Sequence, residues 1–171
     1  MCGIAGYISK DKNFFNEKKI LSTLNLMRRR GPDNQSFKKI EHKSCDINLL
    51  HSRLNIIDLH PRSNQPFELD GYTVIFNGEI YNFPEIKKDL EKKFRFKTKS
   101  DTEVLLKSYI LFGENCVEKF NGMWSFAIWD PFKKGLFLSR DPFGEKPLYY
   151  SLLKDKFIFG SEINYIKSLK G

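Results

Sequence analysis

A cysteine follows directly on the initiator methionine. Removal of Met1, which a small second residue permits, leaves Cys2 with a free α-amine beside its own sulfur. A thiol ionises near pH ~8.5 and an α-amine near ~7.7–8.0, so at neutral pH the amine can take the thiol proton, directly or through a water. Nucleophile and base then share one residue, and the tether between them leaves no second side chain to be positioned. The plainer reading is a small hydrophobe in a first strand, because Gly3 and Gly6 flank Ile4 and Ala5 and permit close backbone approach.

Other residues suit the rest of an amide-cleaving site. Asn77-Gly78 closes the run Tyr72-Thr73-Val74-Ile75-Phe76, where a side-chain amide and a backbone N–H could both point at one developing oxyanion. The same dipeptide is also the default hairpin turn. Arg53 sits between a strand-like run and Leu54-Asn55-Ile56-Ile57. A planar two-pronged cation there is either a carboxylate holder or a paired structural residue. Asp101, between Ser100 and Glu103, reads on sequence grounds as part of a capping-type helix start. His51 invites a Cys–His reading, which leaves the N-terminal placement of Cys2 unexplained.

Met1-Cys2-Gly3-Ile4-Ala5-Gly6, Arg30-Gly31-Pro32-Asp33, His51-Ser52-Arg53-Leu54, Phe76-Asn77-Gly78-Glu79-Ile80-Tyr81-Asn82, Ser100-Asp101-Thr102-Glu103 and Arg140-Asp141-Pro142-Phe143-Gly144 occur in this order. Together they resemble the glutaminase domain of the class II, N-terminal nucleophile glutamine amidotransferases, and within these the glutamine-hydrolysing asparagine synthetases. The resemblance runs from residue 2 to about residue 165 of the 171, so residues 2–171 are expected to form one glutaminase domain.

The resemblance implies a four-layer αββα sandwich. It implies that Cys2 attacks the side-chain carbonyl of L-glutamine, that Asn77 and Gly78 form the oxyanion hole, and that Arg53 binds the substrate carboxylate beside backbone from Leu54, Asn55, Ile56 and Ile57. Asp101 is then expected against the substrate α-amine, with help from Glu79. Arg30-Gly31-Pro32-Asp33 would brace the pocket, and Arg140-Asp141 would be a satisfied pair. No metal or organic cofactor is expected for this half-reaction. In the asparagine synthetase branch, ammonia passes to an acceptor domain that uses ATP and Mg and carries a Ser-Gly-Gly-x-Asp-Ser loop. That loop does not occur in these 171 residues, so the chain is expected to be a fragment of a longer synthetase or a separate subunit. The partners are then L-glutamine and the synthetase domain, with a homodimer left open. Another acceptor (amino-sugar or phosphoribosylamine type) or a silent glutamine-binding module are the alternatives.

Composition is consistent with this. Hydrophobic content of 40% with 16 Phe and 7 Tyr describes a folded, aromatic-rich chain. The net charge of +8 comes from 29 basic against 21 acidic residues, interspersed as on a solvated surface, with no basic-aromatic nucleic-acid motif. Cys2, Cys45 and Cys116 lack Cys-x-x-Cys spacing and form no zinc pattern with His42, His51 and His60, which suits free thiols in a reducing cytoplasm. No apolar run approaches the ~20 residues of a membrane helix, and no signal-peptide core is present.

These residues need an α+β frame. The patterns predict strands over 2–9, 35–40, 46–52, 72–76, 123–130, 135–140, 147–152 and 156–160. A polar stretch, 41–45, joins the second and third, and a loop covers 61–66. Helices are expected after Asn16 up to Arg30-Gly31-Pro32, from Pro84 with Ile86 and Leu90 inward, from Ser100-Asp101 to Gly113, and between Ser161 and Leu169.

Overall fold

The computed structural model describes residues 1–170. The chain runs β1 (Gly3–Ser9), α1 (Glu17–Met27), β2 (Asn34–His42), β3 (Cys45–Arg53), β4 (Phe67–Leu69), β5 (Tyr72–Ile80), α2 (Phe83–Leu90) and α3 (Asp101–Phe112). It continues through β6 (Gly122–Asp130), β7 (Gly135–Arg140), β8 (Tyr149–Leu153), β9 (Lys156–Gly160) and α4 (Ile163–Lys170), with short 3-10 turns at Pro61–Ser63 and Gly113–Lys119. The strands form a five-stranded sheet in the order β2-β3-β1-β9-β8 and a four-stranded sheet in the order β4-β5-β6-β7. Each strand pair is antiparallel.

Strand alternation builds four layers. On one face of the first sheet Ala5, Tyr7, Leu50 and Ile158 pack under Ile20, Leu24 and Met27 of α1 and Tyr165, Ile166 and Leu169 of α4. On the opposite face Ile4, Ile47, Leu49 and Phe159 meet Ile75, Ala127 and Trp129 of the second sheet. The outer face of that sheet carries Val74, Phe76, Trp124, Phe126 and Ile128 beneath Ile86, Leu90, Val104, Leu105 and Tyr109 of α2 and α3. The period of two along each strand produces this division, since successive side chains take opposite faces. Each fully buried aliphatic or aromatic side chain contributes on the order of 1.5–3 kcal/mol. The result is the αββα sandwich that the resemblance implies.

Capping sets the helices in register. The Asn16 side chain accepts from Lys19 N–H at 3.1 Å and starts α1. Ser100 Oγ accepts from Thr102 N–H at 3.1 Å and starts α3, which puts Asp101 in the first turn. Pro84 occupies the first turn of α2, where its missing N–H leaves no bond unmade.

Several expectations need correction. Asn77-Gly78 is not a turn: β5 continues to Ile80 because β6 supplies a partner for every residue from Thr73 to Ile80, and tertiary pairing overrides the local signal. The joint between β2 and β3 is only Lys43-Ser44, since Glu41 and His42 pair with Asp46 and Cys45. β8 starts at Tyr149, not at residue 147. Pro147 has no N–H to give a ladder. The 61–66 loop contains a helical turn, β4 was not expected, and α4 begins two residues later than Ser161.

Candidate active site

The first strand places Cys2 at the edge of the sandwich, half-buried, with Met1 exposed beyond it. Arg30 Nε donates to Cys2 O at 2.9 Å, so the turn after α1 grips the residue that leads into β1. The turn that follows is tight. A Cβ on Gly31 would lie 2.3 Å from the carbonyl carbon of Ser52, and only glycine lets 30–33 lie against β3. Asp33 Oδ2 then accepts from Asn55 N–H at 2.7 Å, tying this turn to the loop after β3.

Cys2 opens onto a narrow cleft of about 40 Å³. Arg53, Leu54, Ile56, Ile57, Gly78, Glu79 and Asp101 also line it. Asn55 does not. Its amide is held by Asp33, which turns it away from the cleft. Burial pushes the Cys2 thiol above its ordinary pKa, while the Leu54 amide and the Arg53 cation act in the opposite direction. The Leu54 N–H donates to Cys2 Sγ at 3.4 Å.

Arg53 is 4% exposed, and among the described residues no carboxylate lies within ion-pair distance of it. Its guanidinium instead donates to the carbonyls of Ile57 and His60 at 3.3 Å, to the carbonyl of Asp58, and to Asn64 Oδ1 at 2.7 Å. Those bonds wrap the 57–64 loop around the cation and leave its charge unneutralised by a direct partner. Asp101 is the mirror case. It is 4% exposed, accepts from Ile80 N–H at 3.2 Å, and has no cation at ion-pair distance among the described residues. Burial pushes its carboxyl up to about 6, with backbone and Ser100 hydrogen bonds opposing and nearby Glu79 adding to the rise.

Antiparallel pairing explains why Gly78 has a free N–H. Trp124, opposite Gly78, accepts from Asp141 N–H at 2.8 Å and donates its own N–H to Asp141 Oδ2 at 3.3 Å. Both main-chain groups of Trp124 therefore face β7, and those of Gly78 point the other way. On that side β4 has already ended, since it pairs only with residues 72–74. Side chains replace the missing strand: Gln65 Oε1 accepts from Phe76 N–H at 2.6 Å and Asp101 Oδ2 from Ile80 N–H. Gly78, between them, donates into the cleft. A Cβ there would meet Met123 O at 2.2 Å, so only glycine keeps β5 and β6 in contact. Asn77 shares the inter-sheet face with Ile75, is 1% exposed, and its Nδ2 has no partner; it does not line the cleft.

Gln65, Ser63, Phe76, Ser100 and Thr102 also line the cleft and were missed from sequence, where 61–66 read as a bare loop. Gln65 bridges Phe76 to Thr102 Oγ1, at 3.2 Å, and so joins β5 to the first turn of α3. Glu103 does not complete a capping box. Its carboxylate accepts from Lys97 and Thr98 N–H groups and pairs with buried Lys107 at 2.6 Å. Arg140 and Asp141 are satisfied separately rather than with each other: Arg140 Nε donates to Lys146 O at 2.8 Å, and Asp141 takes the amides of Trp124, Glu145 and Lys146. His51 is fully buried and pulled down to about 3 by that burial, and Cys45 and Cys116 pack in cores with free thiols. Among the described residues no cluster of His, Cys, Asp and Glu could hold a metal ion, and no helix is long and apolar enough to cross a membrane.

The family model described as "Glutamine amidotransferase domain" matches residues 1–171. The chain belongs to this family. It is 38% identical to Asparagine synthetase [glutamine-hydrolyzing] 3 of Bacillus subtilis (strain 168), with 97% of this chain and 27% of the relative covered. It is 39% identical to Asparagine synthetase [glutamine-hydrolyzing] 1 of the same organism, covering 95% of this chain and 26% of that one. The glutamine amidotransferase domain thus spans about a quarter of the length of these curated relatives. Among solved structures, glutamine phosphoribosylpyrophosphate amidotransferase from B. subtilis superposes with a TM-score of 0.79 at 17% identity, covering 99% of this chain and 44% of that one. At that identity the likeness shows a shared fold.

Proposed function

We propose that this domain hydrolyses L-glutamine to L-glutamate and ammonia through a thioester on Cys2. The observation that carries the reading is the pairing of an unneutralised buried cation, Arg53, with an unneutralised buried carboxylate, Asp101, in one cleft with a thiol. A free amino acid presents the complementary pair: its carboxylate suits the Arg53 charge, whose Nε–H is the donor left free by the 57–64 loop, and its ammonium the Asp101 carboxylate, with Glu79 adding negative charge beside it. The side-chain amide then extends toward sulfur along the wall of Leu54, Ile56 and Ile57.

Once Met1 is removed, the Cys2 α-amine takes the thiol proton and the thiolate adds to the side-chain carbonyl carbon. The Gly78 N–H serves the oxygen on which charge develops, and Asn77, whose Nδ2 is unpartnered on the inter-sheet face, is the second donor once its side chain turns from that face into the cleft. The proton passes from the amine to the departing nitrogen, the C–N bond breaks, and ammonia leaves. Water then adds to the thioester, the C–S bond breaks, and glutamate and the thiol are restored. Each step uses groups of this chain and water, without a cofactor.

The ammonia is proposed to serve an ATP-dependent acceptor domain of asparagine synthetase type, supported by the curated relatives and by their three- to fourfold greater length. In this reading the ATP and Mg chemistry belongs to that acceptor domain, and the enzyme works in the cytoplasm. The test is glutamate and ammonia release in equal amounts from glutamine, lost in Cys2→Ala. A chain freed of Met1 that binds glutamine without releasing either product contradicts the hydrolytic reading.

A further inference from the structure

The oxyanion donors of β5 lie in a stretch with no neighbouring strand on its cleft side, and something must hold that edge in place. An unpaired strand edge is free to shift, and donors aimed at a developing charge act only if they are fixed beforehand. Two residues before Gly78, the Phe76 peptide groups face the same open edge. Phe76 N–H is taken by Gln65. Its carbonyl is met by His51 Nε2 at 3.1 Å, from the other sheet.

The chemistry of this contact is determined. A carbonyl only accepts, so Nε2 carries the hydrogen and Nδ1 is bare. Burial holds His51 neutral at any working pH, and its Nδ1 has no partner. The ring is 0% exposed, faces the inter-sheet layer with Ile47 and Leu49, and does not line the cleft. A buried imidazole with one nitrogen unpartnered is a costly way to fill a core, where a leucine would pack without loss of a hydrogen bond. The one polar bond it makes goes to the peptide group that leads into Asn77.

We propose that His51 is a positioning residue: by donating to Phe76 O across the sandwich it fixes the Phe76–Gly78 segment of β5, and hence the oxyanion donors, relative to Cys2. It stands in for the strand that β4 fails to provide. The strand register supports this, because Ile4, two residues from Cys2 on β1, pairs directly with His51 on β3. One residue is therefore locked to the nucleophile's strand through its backbone and to the oxyanion strand through its side chain. The inference rests on the hydrolytic reading above.

The test compares glutamine hydrolysis by the full chain and by His51→Leu, His51→Gln and Asn77→Ala. A misplaced oxyanion donor weakens the transition state and leaves ground-state binding alone. His51→Leu is expected to lower kcat by at least ~10-fold, short of the ~100- to 1,000-fold loss for a missing donor, with KM nearly unchanged. Gln carries an amide N–H at about the reach of Nε2, so His51→Gln is expected to restore kcat to within ~3-fold of the parent, with the same pH profile. A kcat in His51→Leu equal to the parent, or a loss in His51→Gln as large as in His51→Leu, overturns the inference. So does a change confined to KM. If His51→Leu does not fold, His51→Gln decides alone: a loss comparable with that of Asn77→Ala overturns the proposal. If the parent chain releases no glutamate, or Asn77→Ala hydrolyses glutamine normally, the underlying reading of the site fails instead. Loss in Asn77→Ala with none in His51→Leu removes only the role of His51.

Discussion

The Leu54 amide N–H donates to Cys2 Sγ at 3.4 Å. That contact favours the thiolate, against burial that disfavours it, and burial prevails while the α-amine is tied up in the Met1–Cys2 peptide. The alkylation rate of Cys2 by iodoacetamide is therefore expected to rise with pH along a curve whose midpoint lies above the ordinary thiol value of 9.0 when Met1 is retained. Removal of Met1 should move the curve down. An unchanged midpoint would show that the freed amine does not reach the thiol.

Arg53→Lys should separate binding from chemistry. Lysine keeps the charge but lacks the planar guanidinium that holds the 57–64 loop and still has Nε–H to offer a carboxylate. Losing hydrogen bonds to a charged group costs about 1.5–3 kcal/mol, so KM for glutamine should rise at least ~10-fold while kcat falls less. Steady-state kinetics with glutamine checks this; an unchanged KM removes Arg53 from the binding role.

Asp101 sets an acid limb. With its carboxyl pushed up to about 6, kcat/KM for glutamine should fall as pH drops through about 6, because the neutral acid cannot hold the ammonium. Asp101→Asn should abolish the limb and raise KM. The same shift has the opposite sign for stability. The folded state holds the proton more tightly than the unfolded chain, so this contribution is fully present below the ordinary value of 3.8 and is lost as pH rises through about 6. Melting temperature of Asp101→Asn against the parent at pH 4 and pH 7.5 measures it: the variant should gain relative to the parent at the higher pH.

Gly78→Ala should damage fold and activity together. The added carbon would meet Met123 O at 2.2 Å, and backbone cannot give way as a side chain can. Overpacking of this kind costs about 1–3 kcal/mol, or roughly 2–12 °C in melting temperature for a chain of this size. A variant that melts with the parent would mean that β5 and β6 approach less closely than described.

Much of the architecture was legible because its signals are local. Asn16, Ser100, Pro84 and Gly113 mark helix ends, and β-branched and aromatic runs mark most strands. Cys2 could be singled out by its place behind Met1, whereas Arg53 and Asp101, open between structural and binding roles as residues, drew their site roles from the family resemblance. What was not legible depends on pairing across long sequence separations. Asn77-Gly78 carries a turn signal that eight residues of β6 pairing overrule. Gln65 looked like loop filler, yet it completes an open strand edge from 11 residues away. The resemblance put the Asn55 backbone in the pocket, but its N–H is taken by Asp33, 22 residues earlier, and Asn55 does not line the cleft.

Intact mass of the purified chain before and after incubation with a glutamine-analogue diazo ketone tests the central claim most directly. The account predicts a protein lacking Met1 that gains one adduct, located on Cys2, with no adduct in Cys2→Ala and protection by glutamine. A chain that lacks Met1 yet takes up no adduct, or takes it on Cys45 or Cys116, would contradict it.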